Sequence, residues 1–104
     1  YEKQNMLVRI IADRACRAIL TATKDSPKSA KEIIKESGIP HGTIYRRLKF
    51  LKIQKLLHVT GKITNDGKRQ SLYETKICKI LFTYDIHSSH MKIFDQKKSH
   101  PKFL

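Results

Sequence analysis

Between His41 and Lys55 the chain carries Arg46, Arg47, Lys49, Lys52 and Lys55 and no acid. Guanidinium and ammonium groups at that density suit phosphate, and an arginine can also donate two parallel hydrogen bonds to the O6 and N7 of a guanine. Tyr45 combines a hydroxyl with an apolar ring that fits a thymine methyl, and Gly42 lets backbone come close. Thr43, Arg47 and Lys49 suit phosphate oxygens, as do Lys52 and Lys55. A second basic group, Lys62, Lys68 and Arg69, flanks Asn65-Asp66-Gly67, and can reach phosphates or a minor groove.

Helical geometry separates the first group from a core face. With Ile44 at zero and about 100° per residue, Leu48 lies near 40° and Leu51 near 340°, while Gly42, Tyr45, Arg46 and Lys49 spread from roughly 100° to 200°. Residues in the first turn of a groove-bound helix come nearest the base edges, which singles out His41, Gly42, Tyr45 and Arg46. A helix whose outer face is merely solvated usually mixes signs of charge. Here the acids are missing.

The whole composition agrees with a polyanionic partner. The 104 residues hold 22 Lys and Arg against 9 acids, a net charge of +13. From Pro40 to Gln70 alone there are 8 basic residues and 1 acid, so more than half of that charge falls in the middle third.

The elements that must position these groups are legible in outline. Apolar residues at Leu7, Ile10, Ile11, Ala15, Ala18 and Ile19 predict one amphipathic helix over 2–23. Ala12, Cys16 and Leu20 make a second seam on its far side, a hint of a second contact such as a dimer. Ser29 and Glu32 have the spacing of a capping box opening a short helix, and Gly38 can end it in the left-handed conformation. Pro40 suits the first turn of the next helix, over 40–53, because a first-turn amide has no intrahelical partner to lose. Residues 56–64 and 70–77 read as strands around the Asn-Asp-Gly turn. Alternation from Cys78 allows the second strand to continue to Tyr84, with residues 91–95 pairing back across 86–90. Residues 96–104, polar and containing Pro101, read as a loose tail.

Two helices joined by a tight glycine turn and followed by a basic hairpin predict an α+β winged helix-turn-helix: three helices plus a hairpin wing over residues 1–84, then a C-terminal extension over 85–104 with room for a second hairpin. From Ser29 to Ile77 the chain resembles the winged helix-turn-helix domains of the ArsR-like transcriptional regulators, especially the small archaeal one-domain type. The resemblance rests on SAKEI (29–33), SGIPHGTIYRRLKFL (37–51), KLLHV (55–59) and the basic hairpin. It implies operator DNA bound by helix and wing, usually by a homodimer on a partly palindromic site. His41, Gly42, Thr43, Tyr45 and Arg46 match the reading positions, and Lys68 with Arg69 the wing. Lys55 stands where the family often has a glycine.

Other chemistries find little footing. No phosphate-cradling glycine loop, nucleophile motif or acid pair appears, and no catalytic site or cofactor is expected. His87 and His90 can share a turn, but His41, His58 and His100 are scattered, and structural zinc wants four ligands at workable spacing, so no metal is expected. Cys16 and Cys78 lack a C-x-x-C spacing and suggest a reducing, cytoplasmic setting. No apolar run approaches the roughly 20 residues of a membrane span, and no signal peptide opens the chain. The leading expectation is therefore a sequence-specific regulator of double-stranded DNA, with helix 40–53 in the major groove and residues 62–70 on the minor groove or phosphates. The alternative is a winged-helix module for RNA or protein assembly without operator specificity.

Overall fold

Asp13 divides the opening helix in two. Its backbone is extended (φ −92°, ψ 121°), and its carboxylate Oδ2 accepts a hydrogen bond from the Cys16 amide at 2.9 Å. Aspartate is among the best residues for this capping role, so α1 (Glu2–Ala12) stops and α2 (Arg14–Ala22) starts afresh. The continuous helix expected over 2–23 is thus replaced by two, and the described residues hold four helices rather than three. The break also re-phases the second seam. Ala12 is exposed, Leu20 half-buried and Cys16 only 1% exposed, so the three do not form an outer face.

The computed structural model describes residues 2–95, and the expected tail over 96–104 lies outside the described residues. The remaining helices are α3 (Ala30–Ser37) and α4 (His41–Ile53). The strands are β1 (Leu57–Ile63), β2 (Arg69–Thr75), β3 (Ile77–Asp85) and β4 (Ser88–Asp95), giving an α+β architecture. No helix among the described residues is long and apolar enough to cross a membrane. Ile10, Ile19, Ile33, Ile44 and Leu51 are fully buried, so each of the four helices supplies a side chain to one core. Burying each of these contributes roughly 1.5–3 kcal/mol relative to leaving it in water.

The α3 capping box forms as its spacing predicts: the Ser29 hydroxyl accepts from the Glu32 amide at 3.2 Å and Glu32 Oε1 accepts from the Ser29 amide at 2.9 Å. Gly38 ends the helix at φ 70°, donating its amide to the Ile34 carbonyl at 2.8 Å. Pro40 lies one position earlier than expected. It is the N-cap of α4, extended at ψ 144°, and the helix proper begins at His41.

Lys55, between α4 and β1, has φ 63° and is the non-glycine residue with positive φ among those described. The chain takes the left-handed conformation at the position where the resemblance led one to expect glycine, and takes it with a side chain that resists it. The bend lets the Leu56 amide reach the Leu51 carbonyl at 3.0 Å.

β1 and β2 pair antiparallel with Leu57 opposite Thr75 and Ile63 opposite Arg69. The hairpin is stitched to the helical layer by its own main chain. Lys28 and Tyr73 exchange two amide bonds of 2.9 and 2.8 Å, and the Thr75 amide donates to Thr23 at 3.1 Å. β2 does not continue to Tyr84. The Lys76 amide turns back to the Leu56 carbonyl at 2.9 Å, and the chain then opens a second sheet in which β3 pairs with β4. Its connection is Ile86-His87, shorter than the expected 86–90, with the His87 amide donating to Asp85 at 2.7 Å. This second hairpin straddles residue 84, where the sequence suggested an extension would begin.

Candidate nucleic-acid interface

α4 carries its apolar stripe inward and its cations outward. Ile44, Leu48 and Leu51 are 0%, 2% and 0% exposed, while Gly42, Tyr45, Arg46 and Lys49 lie on the surface. Pro40 offers no side-chain cap, so the amides of His41, Gly42 and Thr43 at the positive end of the helix are left to outside acceptors. The His41 and Tyr45 rings meet at 4.6 Å between centroids, tilted by 45°, which restrains the tyrosine one turn into the helix. Arg46 donates from Nη2 to the Thr43 hydroxyl at 3.4 Å, a weak exposed contact that a better acceptor can replace. Gly42 is not demanded by the fold. Its φ is not positive, and a Cβ there would meet only the far end of the Arg46 side chain at 3.5 Å.

Arg47 is placed differently from its neighbours. Its Nε donates to Asp13 Oδ2 at 3.0 Å and its Nη2 to Asp13 Oδ1 at 3.4 Å, so its guanidinium is held against the joint between α1 and α2. Arg47, which the sequence assigns to phosphates, is half-buried and engaged by a carboxylate within the protein. The helical angle carried the signal, since Arg47 falls near 300°, beside Leu51 rather than among the outward cations. The Arg47 guanidinium, with the Cys16 amide, lowers the Asp13 carboxyl to about 2. Burial, reinforced by Asp13, pushes the Cys16 thiol up to about 12, which leaves it an unreactive packing group.

The tip of the first hairpin is a closed unit. Gly67 has φ 82°, its amide donates to the Thr64 carbonyl at 2.9 Å, and the Thr64 amide donates to the Lys68 carbonyl at 2.8 Å. The Thr64 hydroxyl bonds to Asp66, which also accepts weakly from the Lys68 amide at 3.4 Å. These bonds, the hydroxyl first, lower the Asp66 carboxyl. The one acid of residues 40–70 is thereby tied to the loop, yet it stays exposed and lines the cleft between tip and helix, as Lys62, Lys68 and Arg69 also remain exposed.

Tip and helix share a cleft of about 400 Å³. Tyr45 of α4, Lys31 at the start of α3, and Lys68, Arg69 and Tyr73 of the hairpin all line it. Tyr45 and the Lys68-Arg69 pair, at least 23 residues apart in the chain, therefore face one space. Lys62 lies further down β1, close enough to Glu32 that its charge helps lower that carboxyl, whose main stabiliser is the Ser29 amide. Sequence reasoning missed Lys31. Its signal was a cation in the first turn of a helix, where the macrodipole disfavours it. Among the described residues no three or more His, Cys, Asp or Glu side chains gather where they could hold a metal ion.

No known family model matches the chain, and no curated protein matches it.

Proposed function

We propose that the chain is a sequence-specific double-stranded DNA-binding regulator of transcription built as a winged helix-turn-helix. In this reading α3 and α4 are the helix pair, α4 enters the major groove, and the first hairpin is the wing. The observation that carries the proposal is the shared cleft, where Tyr45 of an acid-free helix face meets Lys68 and Arg69 of a basic hairpin tip. A duplex offers both a groove for a helix and a flanking phosphate strand for a hairpin, and so accounts for both surfaces together. Roles follow from placement. Arg46 and Tyr45 read base edges, Gly42 permits close backbone approach, and the amides of His41 and Thr43 receive a phosphate. Lys49 holds phosphate beside them, and Lys62, Lys68 and Arg69 hold the neighbouring strand. The likeness of residues 29–77 to the ArsR-like regulators supports the same assignment.

In vitro selection from random duplex DNA tests it. The proposal expects an enriched motif of defined sequence, and a palindrome with half-sites one helical turn apart would report two copies bound together. Duplex DNA should outcompete double-stranded RNA, whose deep, narrow major groove excludes a helix. Equal competition, with no motif enriched, would favour an RNA-binding or assembly module instead.

A further inference from the structure

The fully buried stripe of α4 spans only about 60°, from Leu51 through Ile44 to Leu48, and half-buried Phe50 packs against the core beyond it, near 240°. Such a stripe sets how deep a helix sits, while its roll about its own axis depends on what grips its flanks. Roll matters for reading bases. A helix with side chains is about 10–12 Å across, so a roll of roughly 20° carries a side-chain tip by about 2 Å. That is enough to break a bidentate contact whose donor and acceptor must lie within about 3.2 Å.

Arg47 is the polar grip on the flank that it shares with Phe50. One bond to Asp13 of 3.0 Å holds its guanidinium in place, and a weaker second contact of 3.4 Å from Nη2 to the other carboxylate oxygen biases its plane. Asp13 is in turn anchored. Its Oδ2 also accepts from the amide of the buried Cys16, and Arg17 donates to the Ile11 carbonyl at 2.8 Å, closing the last turn of α1 over the same joint. The pair spans 34 residues, tying the front of the core to the helix with the outward cations.

We propose that Asp13 is a positioning residue for the base-reading face of α4, setting through Arg47 the roll at which Tyr45 and Arg46 are presented. The consequence for DNA rests on the function proposed above, whereas the grip is a property of the free protein. Its capping of α2 can be separated from this role. Serine caps a helix about as well as aspartate, but it carries neither the charge nor the paired oxygens that Arg47 grips.

Asp13→Ser and the double variant Asp13→Ser/Arg47→Gln are compared with Arg47→Gln and the natural protein. Two readouts are taken: affinity for a selected duplex over a scrambled one, and amide hydrogen exchange along α4 without DNA. In Asp13→Ser the affinity ratio is expected to fall on the order of tenfold, the size of a typical coupled pair, with scrambled-duplex affinity retained. The double variant should be no worse than the worse single one. Exchange from Tyr45 to Phe50 should speed up while α3 stays unchanged. Loss of stability alone would lower both affinities together. A ratio within about twofold of the natural protein, or unchanged α4 exchange, overturns the proposal. If the natural protein selects no duplex, the regulator reading fails, and the exchange measurement decides the positioning role by itself.

Discussion

The first hairpin closes on Asn65-Asp66-Gly67 and presents Lys62, Lys68 and Arg69, whereas the second closes on Ile86-His87, with Ile86 85% exposed. They also join the molecule by different means. β2 exchanges main-chain bonds with Lys28 and Thr23, contacts that admit one register only. The β3–β4 hairpin is entered through the bend at Lys76, shifts register between Ile77 and Lys79, and leans on the core through Ile77, Ile80 and Ile93. Apolar contact of that kind is non-directional. The contrast teaches where precision is needed: the hairpin with the cationic tip is the one whose register is fixed to the helices, so its charges hold a set place beside Tyr45.

The largest expected effect breaks the comparison at its charges. Replacing Lys68 and Arg69 together with alanine should reduce the slope of log affinity against log salt by about 2, near 0.9 for each phosphate left without its cation. Replacing Lys79 and Lys92 of the second hairpin should leave the slope unchanged, although Lys79 would give up its place over the Phe94 ring at 4.6 Å. Equal reductions from the two pairs would remove the distinction between the hairpins.

A smaller effect concerns the stitching. Thr75 is 6% exposed, and its hydroxyl is buried without a hydrogen-bond partner among the described residues. Thr75→Val keeps the branched shape and the backbone bond to Thr23, so it should raise stability by about 1 kcal/mol in denaturant unfolding. A loss of stability would mean that the hydroxyl has a partner.

At the entry to the same hairpin, Lys55→Gly should relieve the left-handed strain and gain about 0.5 kcal/mol, less than the full conformational penalty because glycine also loosens the unfolded chain. A lower denaturation midpoint would show that the Lys55 side chain contributes more than its strain costs.

The smallest effect is confined to acid. The Asp13 carboxyl titrates at about 2 when folded, against an ordinary value of 3.8. A carboxyl lowered by folding stabilises the protein above its unfolded value and loses that contribution as pH falls through the folded one. The Tm difference between the natural protein and Asp13→Asn should therefore be constant above about pH 4 and narrow toward pH 2. A difference that widens in acid would contradict the ion pair.

What the sequence disclosed was chemistry closed within a few residues. Ser29 and Glu32 cap each other three positions apart, Gly38 ends its own helix, and Asp66-Gly67 makes its own turn. The inward stripe and outward cations of α4 follow from helical period alone. What stayed hidden depended on partners far along the chain. The break at Asp13 is shared with Arg47, and the end of β2 is set by a bond from Lys76 to Leu56. Lys55 lies between these cases: the resemblance marked its position as one for glycine, and the backbone there is left-handed. At the candidate interface the cations were readable singly, but their meeting in one cleft with Tyr45 and Lys31 belongs to the fold.

The central claim, that the outward face of α4 chooses bases while the hairpin tip holds phosphate, is tested most directly by affinities of Arg46→Ala and Lys68→Ala on a selected duplex and its single-base variants. The account predicts that Arg46→Ala weakens the selected duplex by about 1–3 kcal/mol and erases the preference at one base pair. Lys68→Ala should weaken every duplex alike. An Arg46→Ala protein that keeps both its affinity and its full base preference at moderate salt would contradict it.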